Sequence, residues 1–176
     1  MGDDLTPSSP GQQPKPEMAH VLFADVVGYS RLATDEQPRL LQQLRAAVRN
    51  SAEFNRGRSN SSLICIPTGD GMALVFLEND VCAPIRAAQE ISKALRESAT
   101  FGMRIGIHSG PVFRVPDING TETVAGAGIN LAQRVMDCGD AGHILISQTH
   151  ASFLREFGGL RTNLHDLGEA EVKHGV

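Results

Sequence analysis

An α/β fold built on the β-α-β-β-α-β order of the ferredoxin-like split pattern, with an antiparallel-rich sheet and appended strands and helices, is what this sequence predicts. Three observations lead there. Short apolar runs of strand length recur at 20–26, 63–66, 72–77 and 103–108. The stretches between the outer runs, 38–54 and 81–95, carry apolar residues at helical spacing instead. The two middle runs are separated only by Thr68-Gly69-Asp70-Gly71, a tight turn that makes them a hairpin. One face of such a sheet carries helices, and the other must find something else to cover it.

Length and composition bound the possibilities. With 176 residues the chain is one domain plus a tail, large enough for a real core. Hydrophobic residues make up 41% and charged residues 20%, an ordinary globular profile. A net charge of −4 argues against a broad grip on nucleic acid or on an anionic membrane. It leaves room for a small polyanion neutralised locally by metal ions and a few arginines. Cys65, Cys82 and Cys138 show no CxxC spacing, so buried free thiols in a reducing compartment are expected. No apolar run approaches the roughly 18 residues of a membrane span, and the N-terminus lacks a signal-peptide apolar region. A soluble, cytoplasmic chain with no membrane contact of its own is the expectation.

In order, residues 1–18 are rich in Pro, Gly, Ser, Gln and Asp and read as a disordered leader or linker, followed by one domain over 19–176. His20 to Val26 suits a strand buried on both faces, because Val21, Leu22, Phe23 and Val26 crowd it. Thr34-Asp35-Glu36-Gln37 resembles a capping box with Pro38 in the first turn, and Leu40, Leu41, Leu44 and Val48 carry a helix to about Phe54. Arg56 to Ser62 reads as polar loop. After the hairpin, Asn79 or Asp80 caps a helix whose stripe is Val81, Ile85, Ala88, Ile91 and Leu95. Met103 to His108 is a strand ended by Ser109-Gly110-Pro111, and Val112 to Val124 is a longer excursion. Gly126-Ala127-Gly128 opens a helix from Ile129 to about Met136. His143 to Ile146 is a strand, Ser147 caps a short helix to about Phe157, and Leu164 to Leu167 forms a weak last strand.

Chemistry concentrates in few places. Asp25 ends an apolar strand, where a carboxylate is costly unless something cationic pairs with it. It is either a cap for the helix that follows or a ligand for a hard metal such as Mg²⁺. Asp70 stands at the hairpin tip. If the first and third strands are neighbours, the two carboxylates lie side by side and repel until cations neutralise them. Two Mg²⁺ ions bridging carboxylates and substrate phosphates meet that need; two independent turn aspartates are the plainer alternative. Arg104 leads into an apolar strand and is either an edge charge or a fork for phosphate. Asn130 and Arg134, at i and i+4, share one helix face.

Phe23-Ala24-Asp25-Val26-Val27-Gly28-Tyr29-Ser30, Thr68-Gly69-Asp70-Gly71-Met72-Ala73, Arg104-Ile105-Gly106-Ile107-His108-Ser109-Gly110-Pro111-Val112 and Asn130-Leu131-Ala132-Gln133-Arg134 follow one another as in a known family. In motif order and spacing the chain resembles the class III adenylate/guanylate cyclase catalytic domain from about Ala19 onward. The resemblance implies a nucleotide cyclase that converts a nucleoside triphosphate, ATP first, to a 3′,5′-cyclic nucleotide and pyrophosphate in intracellular signalling. It implies a head-to-tail homodimer with composite sites. Asp25, the main chain of Val26, and Asp70 would hold two Mg²⁺ or Mn²⁺ ions. Backbone groups of Val27, Gly28, Tyr29 and Ser30 would receive the triphosphate, and Arg104 the departing pyrophosphate. Asn130 would orient the ribose and Arg134 of the other protomer would stabilise charge on the α-phosphate. Lys173, in Val172-Lys173-His174-Gly175, falls near a family motif at the mouth of the site.

The chain departs from the family where purine is read. The polar pair commonly found four residues before the second metal aspartate and three before the asparagine is here Ile66 and Ala127. Neither side chain can hydrogen-bond a base edge. An alternative of another class is therefore a nucleotide-binding regulatory or dimerisation module with little turnover. Retention of Asp25, Asp70, Asn130 and Arg134 favours the enzyme, since binding alone has no chemical need for a transition-state pair. A small interaction domain leaves both aspartates unexplained. Fused regulatory domains are the expected context, with this chain as their catalytic module.

Overall fold

The first apolar run forms β1 (Glu17–Val26), paired with a strand on each side. The structure, a computed structural model, describes residues 15–98, 101–157 and 164–170. A 3-10 turn (Tyr29–Arg31), α1 (Glu36–Asn50) and α2 (Ala52–Ser59) lead to the hairpin β2 (Leu63–Pro67) and β3 (Gly71–Phe76). Then come α3 (Ala83–Ser98), β4 (Met103–Pro116), β5 (Glu122–Ala125), α4 (Ala127–Asp137), β6 (Ile144–Ile146) and α5 (Gln148–Phe157). The sheet order is β2-β3-β1-β4-β5, and β6 runs parallel to the other edge of β4. All other pairs are antiparallel. This is the mixed α/β fold the sequence predicts.

Alternation along β1 builds two layers of core. Leu22, Ala24 and Val26 face Leu74 and Phe76 together with Leu44 and Val48 of α1 and Ile85, Ile91 and Leu95 around α3. Ala19, Val21 and Phe23 face the other way, with Ala73 and Val75, and there α4 supplies Ala132 and Met136. The β4–β5 hairpin adds Val112 and Val124 to this second layer. So the cover for the second face is one helix and a folded-over hairpin.

Several boundaries differ from expectation, each for a local reason. β1 begins at Glu17, so the last residues of the expected leader belong to the sheet. The first helix does not run to Phe54. It breaks at Ser51, whose extended backbone (ψ 133°) and hydroxyl, accepting from the Phe54 amide at 3.2 Å, start α2. That second helix takes in Arg56 to Ser59 of the expected loop. The capping box does not form: Asp35 is the N-cap of α1 and makes no side-chain cap bond. Pro111 does not end β4. On one side β4 pairs with β1 at Met18; on the other, β6 covers only Ile105–Ile107 and β5 starts at Phe113. Pro111 therefore sits where the second edge asks for no amide. Ser147 does cap α5, its hydroxyl accepting from the His150 amide at 3.1 Å. Leu164 to Leu167 are described but form no strand. Of the three cysteines only Cys82 is buried as expected; Cys65 and Cys138 are exposed free thiols.

One polar network was not foreseen. His20 of β1 and Ser109 of β4 are directly opposed, with Nδ1 2.7 Å from the hydroxyl oxygen. The same oxygen lies 2.7 Å from Nδ1 of His150, a wholly buried residue of α5. His108 Nδ1 bonds Ser147 Oγ at 2.8 Å. Burial, then the neighbouring His20 and His108, pushes the His150 imidazole down to about 3. Burial also lowers His20, against Asp80 and Glu78, and lowers His108.

These imidazoles are neutral in the fold and take protons more readily when unfolded. Their contribution is therefore complete above pH 6.5 and is lost as pH falls below it. Between pH 6.5 and 5, where carboxylates still hold their charge, His150 alone is expected to cost about 2 kcal/mol of stability. Urea unfolding at the two pH values measures this, and His150→Phe is expected to flatten the dependence.

Candidate active site

The end of β1 is where the sheet meets solvent, and the site forms there. Asp25 stands opposite Gly71 of β3 on one side and opposite Arg104 of β4 on the other. The Val26 amide donates to the Asp70 carbonyl at 3.1 Å, so the hairpin tip is fastened beside Asp25. Gly71 permits this approach: a Cβ there would overlap the Ala24 carbonyl oxygen. Beyond Val26 the chain turns at Gly28, whose φ of 76° is left-handed. Asp25, Val26, Val27, Gly28, Tyr29 and Ser30 line a cleft of about 330 Å³, with Asp70, Arg104, Gly139 and Asp140 completing its wall. Asp25 caps no helix. The N-caps that follow are Gly28 and Asp35.

Asp25 is 8% exposed and is not left to repel Asp70. Arg104 Nε donates to one carboxylate oxygen at 2.8 Å and Nη2 to the other at 2.9 Å. Nη2 also lies 3.0 Å from Asp137 at the end of α4. The bonds to Asp25 hold the Arg104 guanidinium above its ordinary value. The expectation of two mutually repelling carboxylates is thus met by a protein cation rather than by metal alone.

Asn130 and Arg134 are not among the residues lining this cleft. Both are on α4, which also begins with Ala127; Ala127 and Asn130 are exposed and Arg134 is half-buried. Ile66 lies on the edge strand β2 opposite Ala73, at the margin of the second core layer. Within one chain the cleft is thus lined by the aspartates, Arg104 and the 27–30 turn, without Asn130 or Arg134. Lys173 lies outside the described residues. Asp137, Gly139 and Asp140 were missed. The available signal was Asp137 itself, an acid in a last helical turn, where the helix dipole disfavours it.

The donor set suits a hard cation. Among the described residues no group of three or more His, Cys, Asp or Glu converges into a closed metal cage. Two carboxylates on adjacent backbone, open to a cleft, match an ion that keeps water or phosphate oxygens in its shell, as Mg²⁺ does. They do not suit a structural zinc.

The family pattern described as Adenylate and Guanylate cyclase catalytic domain matches residues 72–175, more than half of the sequence. The chain belongs to the class III adenylate/guanylate cyclase catalytic domains, a lyase family. The matched range contains Arg104, Ala127, Asn130, Arg134 and Lys173, while Asp25 and Asp70 precede it. Solved structures share the fold. The guanylate cyclase domain of RhGC from Catenaria anguillulae, in complex with GTP, is 23% identical with a TM-score of 0.65, covering 79% of this chain and 82% of that one. The adenylyl cyclase CyaB from P. aeruginosa is 19% identical with a TM-score of 0.67, over 83% of this chain and 84% of its own. An adenylate/guanylate cyclase/hydrolase from Silicibacter pomeroyi is 24% identical with a TM-score of 0.67, over 93% and 94%. Among curated protein sequences, none matches the chain.

Because Asp25 carries half of a nearly buried fork, Asp25→Ala is expected to lower the stability of the metal-free protein by about 1–3 kcal/mol. Asp70→Ala is expected to change it far less, since the hairpin is fastened through the Asp70 main chain. Thermal melts of both variants in the presence of a chelator test the difference.

Proposed function

We propose that this domain is a nucleotide cyclase that forms a 3′,5′-cyclic nucleotide and pyrophosphate from a nucleoside triphosphate, ATP in the first instance, as a head-to-tail homodimer. The observation that carries the reading is the make-up of the cleft: Asp25 and Asp70 share a cleft of phosphate size, while Asn130 and Arg134 of α4 do not line it. A second copy can bring its α4 to the cleft of the first. The domain, in this reading, is the catalytic module of a longer cytoplasmic regulator.

In the reaction the ribose 3′-oxygen attacks its own α-phosphorus in line, the bond to the β-phosphate bridging oxygen breaks, and the hydroxyl proton leaves to solvent. Little covalent help is needed; the nucleophile must be positioned and charge on the leaving group neutralised. Asp25, Asp70 and the Val26 carbonyl would hold two divalent ions. When bound, these ions lower the pKa of the 3′-hydroxyl and clamp the phosphates. Amides of the 27–30 turn receive the triphosphate. Arg104 faces the leaving pyrophosphate, Asn130 of the partner fixes the ribose, and Arg134 of the partner stabilises charge developing at the α-phosphate. Lys173 is assigned to the mouth of the site on its motif.

The base is read weakly. With Ile66 and Ala127 the pocket discriminates by shape, worth about 1–3 kcal/mol, so ATP and GTP are expected to differ by no more than about a hundredfold in kcat/KM. Ile66→Lys with Ala127→Asp is expected to favour ATP. Turnover of each triphosphate with Mn²⁺, read by mass spectrometry of products, is the primary test. Asp25→Ala and Arg134→Ala are each expected to be inactive, and their mixture to regain activity through one intact site per heterodimer. No rescue, with subunit exchange demonstrated, rules out the composite site. No turnover of any nucleotide at high protein concentration favours the alternative that the missing base pair supports, a nucleotide-binding regulatory module.

A further inference from the structure

Arg104 has two carboxylate partners, and only one of them belongs to the cation site. Its Nε and Nη2 occupy both oxygens of Asp25, while Nη2 is also 3.0 Å from Asp137. The fork takes one lone pair on each Asp25 oxygen, so a divalent cation and the guanidinium compete for the same carboxylate in charge and in the inner lone-pair positions. Loading the site therefore loosens the hold of Arg104 on Asp25, and what becomes of the guanidinium then depends on Asp137.

Asp137 is set where it is by close packing. Gly106 lies two residues beyond Arg104 on the same face of β4, and a Cβ there would overlap the Met136 amide nitrogen and crowd the Ala132 carbonyl. The helix therefore rests directly on β4, with its last residue above Arg104. An acid at a helix C-terminus faces the negative end of the backbone dipoles, so that carboxylate is unfavourable there without a cation. Its side chain is 43% exposed, against 11% for Asp25 and 27% for Arg104. Asp137 is the outer partner and Asp25 the inner one.

We propose that Asp137 is a positioning residue for Arg104, an outer station that keeps the guanidinium at the cleft wall when a divalent cation takes Asp25. The proposal rests on the reading of Asp25 as a cation ligand. In the empty site Arg104 is the counter-ion of Asp25. In the loaded site it remains on Asp137 and turns its other nitrogens to the phosphates. Without Asp137, displacing Arg104 forfeits its whole ion pairing and leaves a long side chain unrestrained. Since α4 also carries Asn130 and Arg134, this contact joins the loading of one cleft to the helix that serves the other.

The test is a double-mutant cycle on Mn²⁺ binding by the full chain without nucleotide, followed by the electron paramagnetic resonance signal of free Mn²⁺. Arg104→Ala is expected to tighten binding about tenfold, by removing a competing cation. Asp137→Asn is expected to weaken it about three- to fivefold, the scale of one half-exposed ion pair. In the Arg104→Ala background Asp137→Asn is expected to have no effect, and Asp137→Glu to restore wild-type binding when Arg104 is present. Equal weakening by Asp137→Asn in both backgrounds would mean a simple loss of negative charge and overturns the proposal, as does no weakening in either. Asp137→Ser serves in its place should the amide variant not fold. Asp25→Asn separates the two levels. If it leaves Mn²⁺ binding untouched, the cation reading of Asp25 fails and the proposal falls with it; if it abolishes binding while the cycle shows no coupling, only the role of Asp137 fails.

Discussion

A carboxylate at the end of an apolar strand constrains everything around it. A carboxylate that is 8% exposed is costly without a partner, and here the partner comes from a neighbouring strand. Arg104 meets that condition because β1 and β4 pair over ten residues with Asp25 and Arg104 directly opposed. Every other feature of the cleft follows from keeping that pair in place. Gly71 lets β3 close on one side, Gly106 lets α4 close above, and the left-handed Gly28 turns the chain away before it can cover the carboxylate.

Much of this could be read from the sequence, and the limits are physical. The hairpin around Asp70 was legible because its turn is local and its flanks are apolar. The neighbourhood of Asp25 and Asp70 followed from topology alone. The Arg104 fork was not legible: its partners are 79 residues apart, and strand register is fixed by the whole sheet rather than by either segment. The same limit hid the histidine network, in which His20, Ser109 and His150 come from three distant elements. Errors of the opposite kind came from reading local signals too strongly. Pro111 looks like a stop until the open edge beside it is known, and Ser51 looks like a helical residue until its hydroxyl is seen capping the next helix.

The two faces of the sheet are built by different means. Beneath α1 and α3, large aliphatic side chains fill the space between layers, as in any mixed α/β core. Over β4 the contact is backbone on backbone: Gly110 and Gly128 approach so closely that a Cβ on either would press on the other's main chain. With Gly106 farther along, the backbone of α4 lies close on β4 toward both ends, and Ala132 and Met136 pack into the second core layer. Any residue larger than glycine at these glycine positions would have to push the helix off the strand.

The join between Val26 and Val27 has a consequence for backbone protection. On one side of it lies β1, hydrogen-bonded to β3 and β4 and buried from Ala19 to Val26, which makes it the segment whose amides exchange only on global unfolding. On the other side the Val27 side chain is exposed, although its amide still donates to the Gly102 carbonyl at 2.9 Å, and beyond it Gly28 and Ser30 are exposed. Slow exchange along β1 therefore gives way to faster exchange from Gly28 onward. That change falls at the cleft, directly beside the Asp25 carboxylate that Arg104 holds.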